Sequence, residues 1–153
     1  IRFVPHFGLD HLVEHRLKPI PDEGMVLNLD GVHLPVIPAH FLHGAGNFQI
    51  YDPVAKILYT GDLGASLGMN YVYVDDFDAH LQYMEGFHKR YMASNKALSA
   101  WARMARSLDI DIIAPQHGAI FRGKPMVQRF IDWCEGLQCG VDIITDLFKV
   151  PEG

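Results

Sequence analysis

The sequence is poor in cysteine and has no long apolar run, and each absence excludes a class of protein. Only two cysteines, Cys134 and Cys139, occur in 153 residues, and their spacing suits neither a disulfide framework nor a zinc knuckle. We therefore expect two reduced thiols packed as small apolar residues. No apolar run approaches the ~20 residues that span a bilayer, and no secretory leader is recognisable. We expect a cytoplasmic protein with no membrane partner.

Excess basic charge is also missing. The net charge is -5 and the 13 Lys and Arg residues are scattered along the chain, so nucleic acid is not an expected partner. No phosphate-cradling loop or dinucleotide fingerprint occurs, which predicts that the chain carries no flavin or nucleotide of its own. What the sequence does have is 49% apolar residues, enough for the core of one domain, and nine histidines. Neutral imidazole is a metal ligand at physiological pH.

Short apolar runs separated by turn residues predict a sheet in the first part of the chain. Strands are expected over 25–29, 32–37, 48–51 and 56–60, and a further buried strand over 109–114 ends at Pro115. Asp30-Gly31 and Asp52-Pro53 supply turns between neighbouring strands, which favours antiparallel pairing.

Apolar residues at steps of three and four predict helices in the second part. One series comprises Phe77, Leu81, Met84, Phe87 and Tyr91. A second series runs from Leu98 to Leu108 after a Ser94 N-cap, and a last helix starts near Pro125. We interpret these stripes as core faces. The order of elements predicts an α+β domain in which helices cover one side of a sheet.

Three segments place a candidate metal ligand just after a predicted strand. His43 follows the strand 32–37, Asp62 lies between glycines in TGDLGA, and His117 follows Pro115 in PQHG. Asp62 has two carboxylate oxygens with which to bridge two ions, and each histidine would give one ring nitrogen to one ion. Such an N/O ligand set suits Fe, Zn or Mn. The sequence thus predicts a two-metal site.

These segments resemble motifs of the metallo-β-lactamase superfamily. The segments FLHGAGNF at 41–48, GDLGA at 61–65 and PQHG at 115–118 are similar to its third-His, bridging-Asp and last-His motifs. The similarity is strongest to the oxygen-binding di-iron proteins, relatives of the flavodiiron oxygen and nitric oxide reductases, and it extends over essentially the whole chain. It implies that residues 1–153 form the C-terminal part of an αββα sandwich. It also implies two iron ions that bind O2 or NO, for sensing or carriage.

The chain departs from that resemblance at one motif. The superfamily's first motif, H-x-[DE]-x-D, supplies the remaining ligands and does not occur here; His6, Asp10, His11 and His15 do not reproduce it. Because the sequence starts as if inside a domain, we expect the motif on an upstream segment; loss of part of the site is the alternative.

Other histidines are expected to have ordinary roles. His40 either supports the metal site or, as we prefer, is a polar residue at a strand end, and His33, His80 and His88 are expected to be solvated or locally bonded.

Two other functions are consistent with the same residues. His43-x-x-Gly46 also resembles the third-His turn of zinc hydrolases of the superfamily, in which a metal-bound hydroxide attacks an ester, amide or thioester. A metal-free interaction domain with half the ligands is the third possibility. We assign no catalytic residue, and whether the protein is an enzyme stays open. A separate redox or signalling partner and a homodimer are further expectations.

Overall fold

The computed structural model describes residues 18–144 and 147–151, and in that part the chain is an α+β structure. The strands are β1 Met25–Leu29, β2 Val32–Pro38, β3 Phe48–Asp52, β4 Ile57–Gly61, β5 Ile112–Pro115 and β6 Phe121–Arg122. The helices are α1 Phe77–Tyr91, α2 Asn95–Ala105, α3 Lys124–Gly136 and α4 Val141–Ile144. His6, Asp10, His11 and His15 lie outside the described residues.

Most of the predicted elements are confirmed to within a few residues. Ser94 caps α2 by accepting a hydrogen bond from the Ala97 N–H, and Pro125 lies in the first turn of α3. The hairpin between β1 and β2 turns at Asp30 and Gly31, both of which have positive φ angles, as the Asp-Gly pair predicts. The sequence did not predict β6 and α4, which have two and four residues and are too short to show a period.

The six strands form one sheet in the order β1-β2-β3-β4-β5-β6. The first four are antiparallel in sequence, β5 runs parallel to β4, and β6 is antiparallel to β5. Strands β2, β4 and β5 therefore point in the same direction. Their carboxyl ends reach one edge of the sheet, and the segments that follow them share that edge.

One face of the sheet packs against the helices. Tyr51, Leu58, Ile113 and Phe121 are paired across four strands and are all buried. Trp101 of α2 packs in the same core, and its indole N–H donates to Gln49 of β3 at 2.8 Å. A hydrogen bond made in that dry environment ties the helix to the sheet.

The opposite face of the sheet is partly exposed in the described residues, although Val36, the partner of Ile50 on that face, is buried. Ile50 and Tyr59 are cross-strand partners on that face and are 39% and 46% exposed. Leu29 and Val32 are exposed on the same face. The predicted sheet with helices on one side is thus confirmed. The described helices lack the combination of length and apolar character needed to cross a membrane.

Both cysteines are buried free thiols, as predicted. Burial raises the pKa of Cys134, and the pKa of Cys139 rises to about 11 for the same reason. Neither thiol is an available thiolate, so both act as packing residues.

The predicted core face of α1 is partly wrong. Tyr91 is half exposed, whereas His80 and His88 are fully buried beside Phe77 and Met84. Leu81 and Phe87 are partly buried against the core as predicted, and two histidines, rather than Tyr91, complete the inward face of this helix.

Candidate metal centre

The three predicted ligands follow three strands that point to one edge of the sheet. His43 comes after β2, Asp62 directly follows β4, and His117 comes two residues after β5. Strands β4 and β5 are hydrogen-bonded neighbours, with Gly61 opposite Pro115. The ends of these two strands therefore place Asp62 and His117 side by side.

Asp62 and His117 face each other at the sheet edge. The distance from His117 Nε2 to Asp62 Oδ1 is 3.6 Å, which is too long for a good hydrogen bond. Two ligands of one ion, with bonds of about 2.0–2.2 Å, lie about 3–4 Å apart, so the pair fits a shared metal. The His117 side chain is 56% exposed and that of Asp62 35%. An ion can therefore reach both side chains.

The loops that carry this pair are hydrogen-bonded to each other on both sides of it. The Gln116 N–H donates to the Gly61 carbonyl at 2.7 Å, and the Ser66 N–H donates to the His117 carbonyl at 3.3 Å. The Ser66 hydroxyl then accepts the Ala119 N–H at 3.0 Å. These bonds fix the backbone at both ligands and leave the two side chains free to bind.

Two glycines make this close approach possible. A Cβ on Gly118 would lie 2.1 Å from the Ser66 hydroxyl oxygen, and one on Gly64 would lie 2.7 Å from Pro115. Both glycines also have positive φ angles, near +94° and +97°, a region that L side chains rarely adopt.

His43 lies on a separate loop, which is folded by its own backbone. The Phe41 N–H donates to the Gly44 carbonyl at 2.8 Å, and the Ala39 N–H donates to the Asn47 carbonyl at 3.0 Å. The Asn47 side-chain amide also donates to the Leu42 carbonyl. Leu42 is buried, so it anchors the loop while His43 stays exposed.

Aromatic residues of α1 contact the His43 ring. Its centroid lies 5.1 Å from that of Tyr91 and 6.0 Å from that of Phe87. A methyl group on Gly61 would contact the Asn47 side-chain oxygen at 3.7 Å, so this loop runs beside the Asp62 turn.

The structure brings two of the three predicted ligands, Asp62 and His117, close together. In residues 18–144 and 147–151, no group of three or more His, Cys, Asp or Glu side chains is placed to hold a metal ion. Convergence of His43 with Asp62 and His117 on one centre stays a prediction.

His40 lies two residues beyond the end of β2. Its Nε2–H donates to the Asp22 carbonyl at 2.8 Å, and its ring packs edge-on against Phe48.

His88 and His80 are fully buried, which was not predicted from the sequence. His88 donates from Nδ1 to the Met84 carbonyl at 2.7 Å and accepts the Gly64 N–H on Nε2 at 2.8 Å. Burial lowers the pKa of His88 to about 4 and lowers that of His80. His80 bonds to the Tyr71 hydroxyl at 2.7 Å. Phe77, His80, Met84 and His88 recur at helical steps, and that spacing is the signal that could have identified the buried histidines.

The fold and the candidate ligand pair together define a protein with a metallo-β-lactamase-like architecture. The chain belongs to the family described as ODP family beta lactamase, which matches residues 1–118. No curated protein sequence shows a significant match.

Solved structures of chemotaxis sensors are similar to this chain. One is chemotaxis sensor ODP in a peroxy di-iron species, with 46% identity, a TM-score of 0.84, and coverage of 88% of this chain and 58% of that one. Another is the apo state of chemotaxis sensor ODP from T. denticola, with 43% identity, a TM-score of 0.86, and coverage of 95% and 61%. The chain thus spans about three fifths of the length of these relatives.

A more distant similarity supports the fold alone. A flavo di-iron protein mutant from Thermotoga maritima is 19% identical, with a TM-score of 0.67 and coverage of 84% of this chain and 33% of that one.

Proposed function

We propose that this chain is the C-terminal part of a di-iron domain that binds O2 or NO for sensing or carriage. The observation that carries the proposal is the 46% identity to a chemotaxis sensor solved as a peroxy di-iron species. The adjacent Asp62 and His117 side chains supply the ligand chemistry that such a domain needs.

The donor types at the sheet edge fit iron. Asp62 would bridge two ions with its carboxylate, while His43 and His117 would each bind one of them through a ring nitrogen. When bound, two ferrous ions supply the place where O2 or NO binds. The protein's own contribution is positional: the bonds between the two loops hold Asp62 and His117 at one edge, and Tyr91 and Phe87 form an aromatic wall beside His43.

The remaining ligands would come from an H-x-[DE]-x-D motif on an additional N-terminal segment. This part of the proposal is supported by the relatives, since the chain spans 58% and 61% of their lengths. The partly exposed apolar face of the sheet, on which Ile50 and Tyr59 are accessible, would then pack against the second sheet of an αββα sandwich.

Sensing, with a separate signalling partner, is proposed because both similar sensor structures are of chemotaxis proteins. A cytoplasmic location, a redox partner and a homodimer remain predictions from the sequence.

Metal analysis of the full-length gene product, purified without oxygen, tests the function. We expect about two iron ions per chain and a visible absorption band that develops on exposure to O2, without catalytic O2 consumption. Stoichiometric zinc with rapid thioester hydrolysis and no oxygen-dependent band would instead establish the hydrolase. Absence of any bound metal would favour the interaction domain.

A further inference from the structure

His88 is a buried polar residue on α1 whose two ring nitrogens are both used. Its side chain is fully buried, and its ring makes edge-on contacts with Phe87 and Trp133. Burying an imidazole with an unsatisfied nitrogen is costly, and here both nitrogens have a partner.

The partners of His88 determine its tautomer. A carbonyl oxygen only accepts, so the bond to Met84 places the hydrogen on Nδ1. Nε2 is therefore a lone-pair acceptor, and it receives the Gly64 N–H. Burial keeps the ring neutral by lowering its pKa to about 4, so the Gly64 bond is present at neutral pH.

The Gly64 amide lies in the turn that carries Asp62. On one side this turn contacts Pro115, since a Cβ on Gly64 would lie 2.7 Å from the Pro115 ring. His88 bonds to the turn from the helix layer. The turn is thus held between α1 and the end of β5, the strand that leads to His117.

We propose that His88 is a positioning residue for the metal centre: its bond to Gly64 fixes the Asp62 turn and so sets the separation of Asp62 from His117. This inference rests on the proposed function. His88 does not touch the metal in this proposal. It acts through the backbone two residues away from the candidate bridging carboxylate.

A pair of amide variants separates this role from packing. His88→Gln keeps an acceptor near the Nε2 position, whereas His88→Asn keeps a donor near Nδ1 and loses the acceptor for Gly64. Both variants lose the ring and its contacts. We expect the Fe(II) dissociation constant of the anaerobic full-length protein to rise about tenfold in His88→Asn and to change about twofold or less in His88→Gln. His33→Asn, an exposed histidine on β2, is the matched control and should bind iron like the wild type.

A second measurement needs no metal. In the 15N-labelled apo protein, a coupling across the hydrogen bond between the Gly64 nitrogen and His88 Nε2 should be observed. The Gly64 amide resonance should shift in His88→Asn more than in His88→Gln.

The outcomes of these experiments distinguish the two proposals. Wild-type protein without iron would overturn the proposed function, and this inference with it. Wild-type protein that holds iron, with equal affinities in His88→Asn and His88→Gln or no coupling to Gly64, would overturn the inference alone.

Discussion

Asp62 and His117 differ from His43 in how the fold delivers them. The first two emerge from neighbouring parallel strands, β4 and β5, and their loops are joined by three hydrogen bonds. His43 lies on a loop folded mainly on itself, and its ring is supported by contacts with Tyr91 and Phe87.

This difference indicates which ligands are preorganised. A hydrogen-bonded backbone with glycines in left-handed conformations has few alternative conformations. The fold therefore fixes the positions of Asp62 and His117. Ring contacts on a half-exposed surface are weaker and less directional. We therefore expect substitutions around the pair to have larger effects than substitutions around His43.

The largest effect is expected from Asp62→Ala. Removing the carboxylate that both ions would share should lower iron affinity by at least about 100-fold and abolish the oxygen-dependent absorption band. Iron content and visible spectra of the anaerobic protein provide the measurement. Asp75→Ala, an exposed carboxylate on the segment before α1, serves as the control. Retention of two irons by Asp62→Ala would remove Asp62 from the site.

Gly118→Ala should disrupt the contact between the two loops. The new methyl group would lie 2.1 Å from the Ser66 hydroxyl and 2.6 Å from its backbone nitrogen and oxygen, at a positive φ. We expect the free energy of unfolding to fall by about 3 kcal/mol or more, as measured by urea denaturation. Gly86→Ala, in open space on α1, should instead raise it by up to about 1 kcal/mol. Equal stabilities for the two variants would contradict the close approach.

Acid should lower the stability of the fold through His88. As the pH falls below 6.5, the unfolded chain protonates this histidine, whereas the folded chain resists protonation until about pH 4. Stability is therefore full above pH 6.5 and lost as the pH falls, by about 2 kcal/mol at pH 5. His80 acts in the same direction because burial lowers its pKa.

Urea denaturation at several pH values, on wild type and His88→Gln, isolates the contribution of His88. The variant should lose less stability between pH 6.5 and pH 5. Parallel pH profiles for the two proteins would show that His88 does not resist protonation in the folded state.

The smallest effect is expected at Tyr91, which supports His43. Tyr91→Ala removes a ring whose centroid lies 5.1 Å from that of His43, and iron affinity should fall about threefold. Tyr91→Phe keeps the ring and should bind iron like the wild type in an anaerobic competition titration. If Tyr91→Ala lowered iron affinity as much as Asp62→Ala, contacts to His43 would matter as much for the metal centre as the Asp62 carboxylate, which would contradict the expected difference.

Helix starts, tight turns and strand ends depend on residues that are close in the sequence, and these features were predicted correctly. Ser94 and Pro125 marked helix starts, Asp30-Gly31 marked a hairpin, and the strand ends placed Asp62 near His117. The sequence could not show what His88 bonds to, because its second partner, Gly64, lies 24 residues away. The exposure of Tyr91 was missed for a related reason: the core side of α1 was taken from apolar residues, while neutral, hydrogen-bonded histidines occupy part of it.

The parallel pairing of β4 with β5 also has a consequence for chain entropy. The 55 positions from Asp62 to His117 include α1 and α2, and the two ends of this segment meet at 3.6 Å. An ion bound by both side chains would cross-link the segment much as a disulfide does, which for a loop of this length corresponds to about 4 kcal/mol. Iron at the sheet edge would thereby stabilise the whole segment between the two ligands, including the parts of α1 and α2 that are far from the metal.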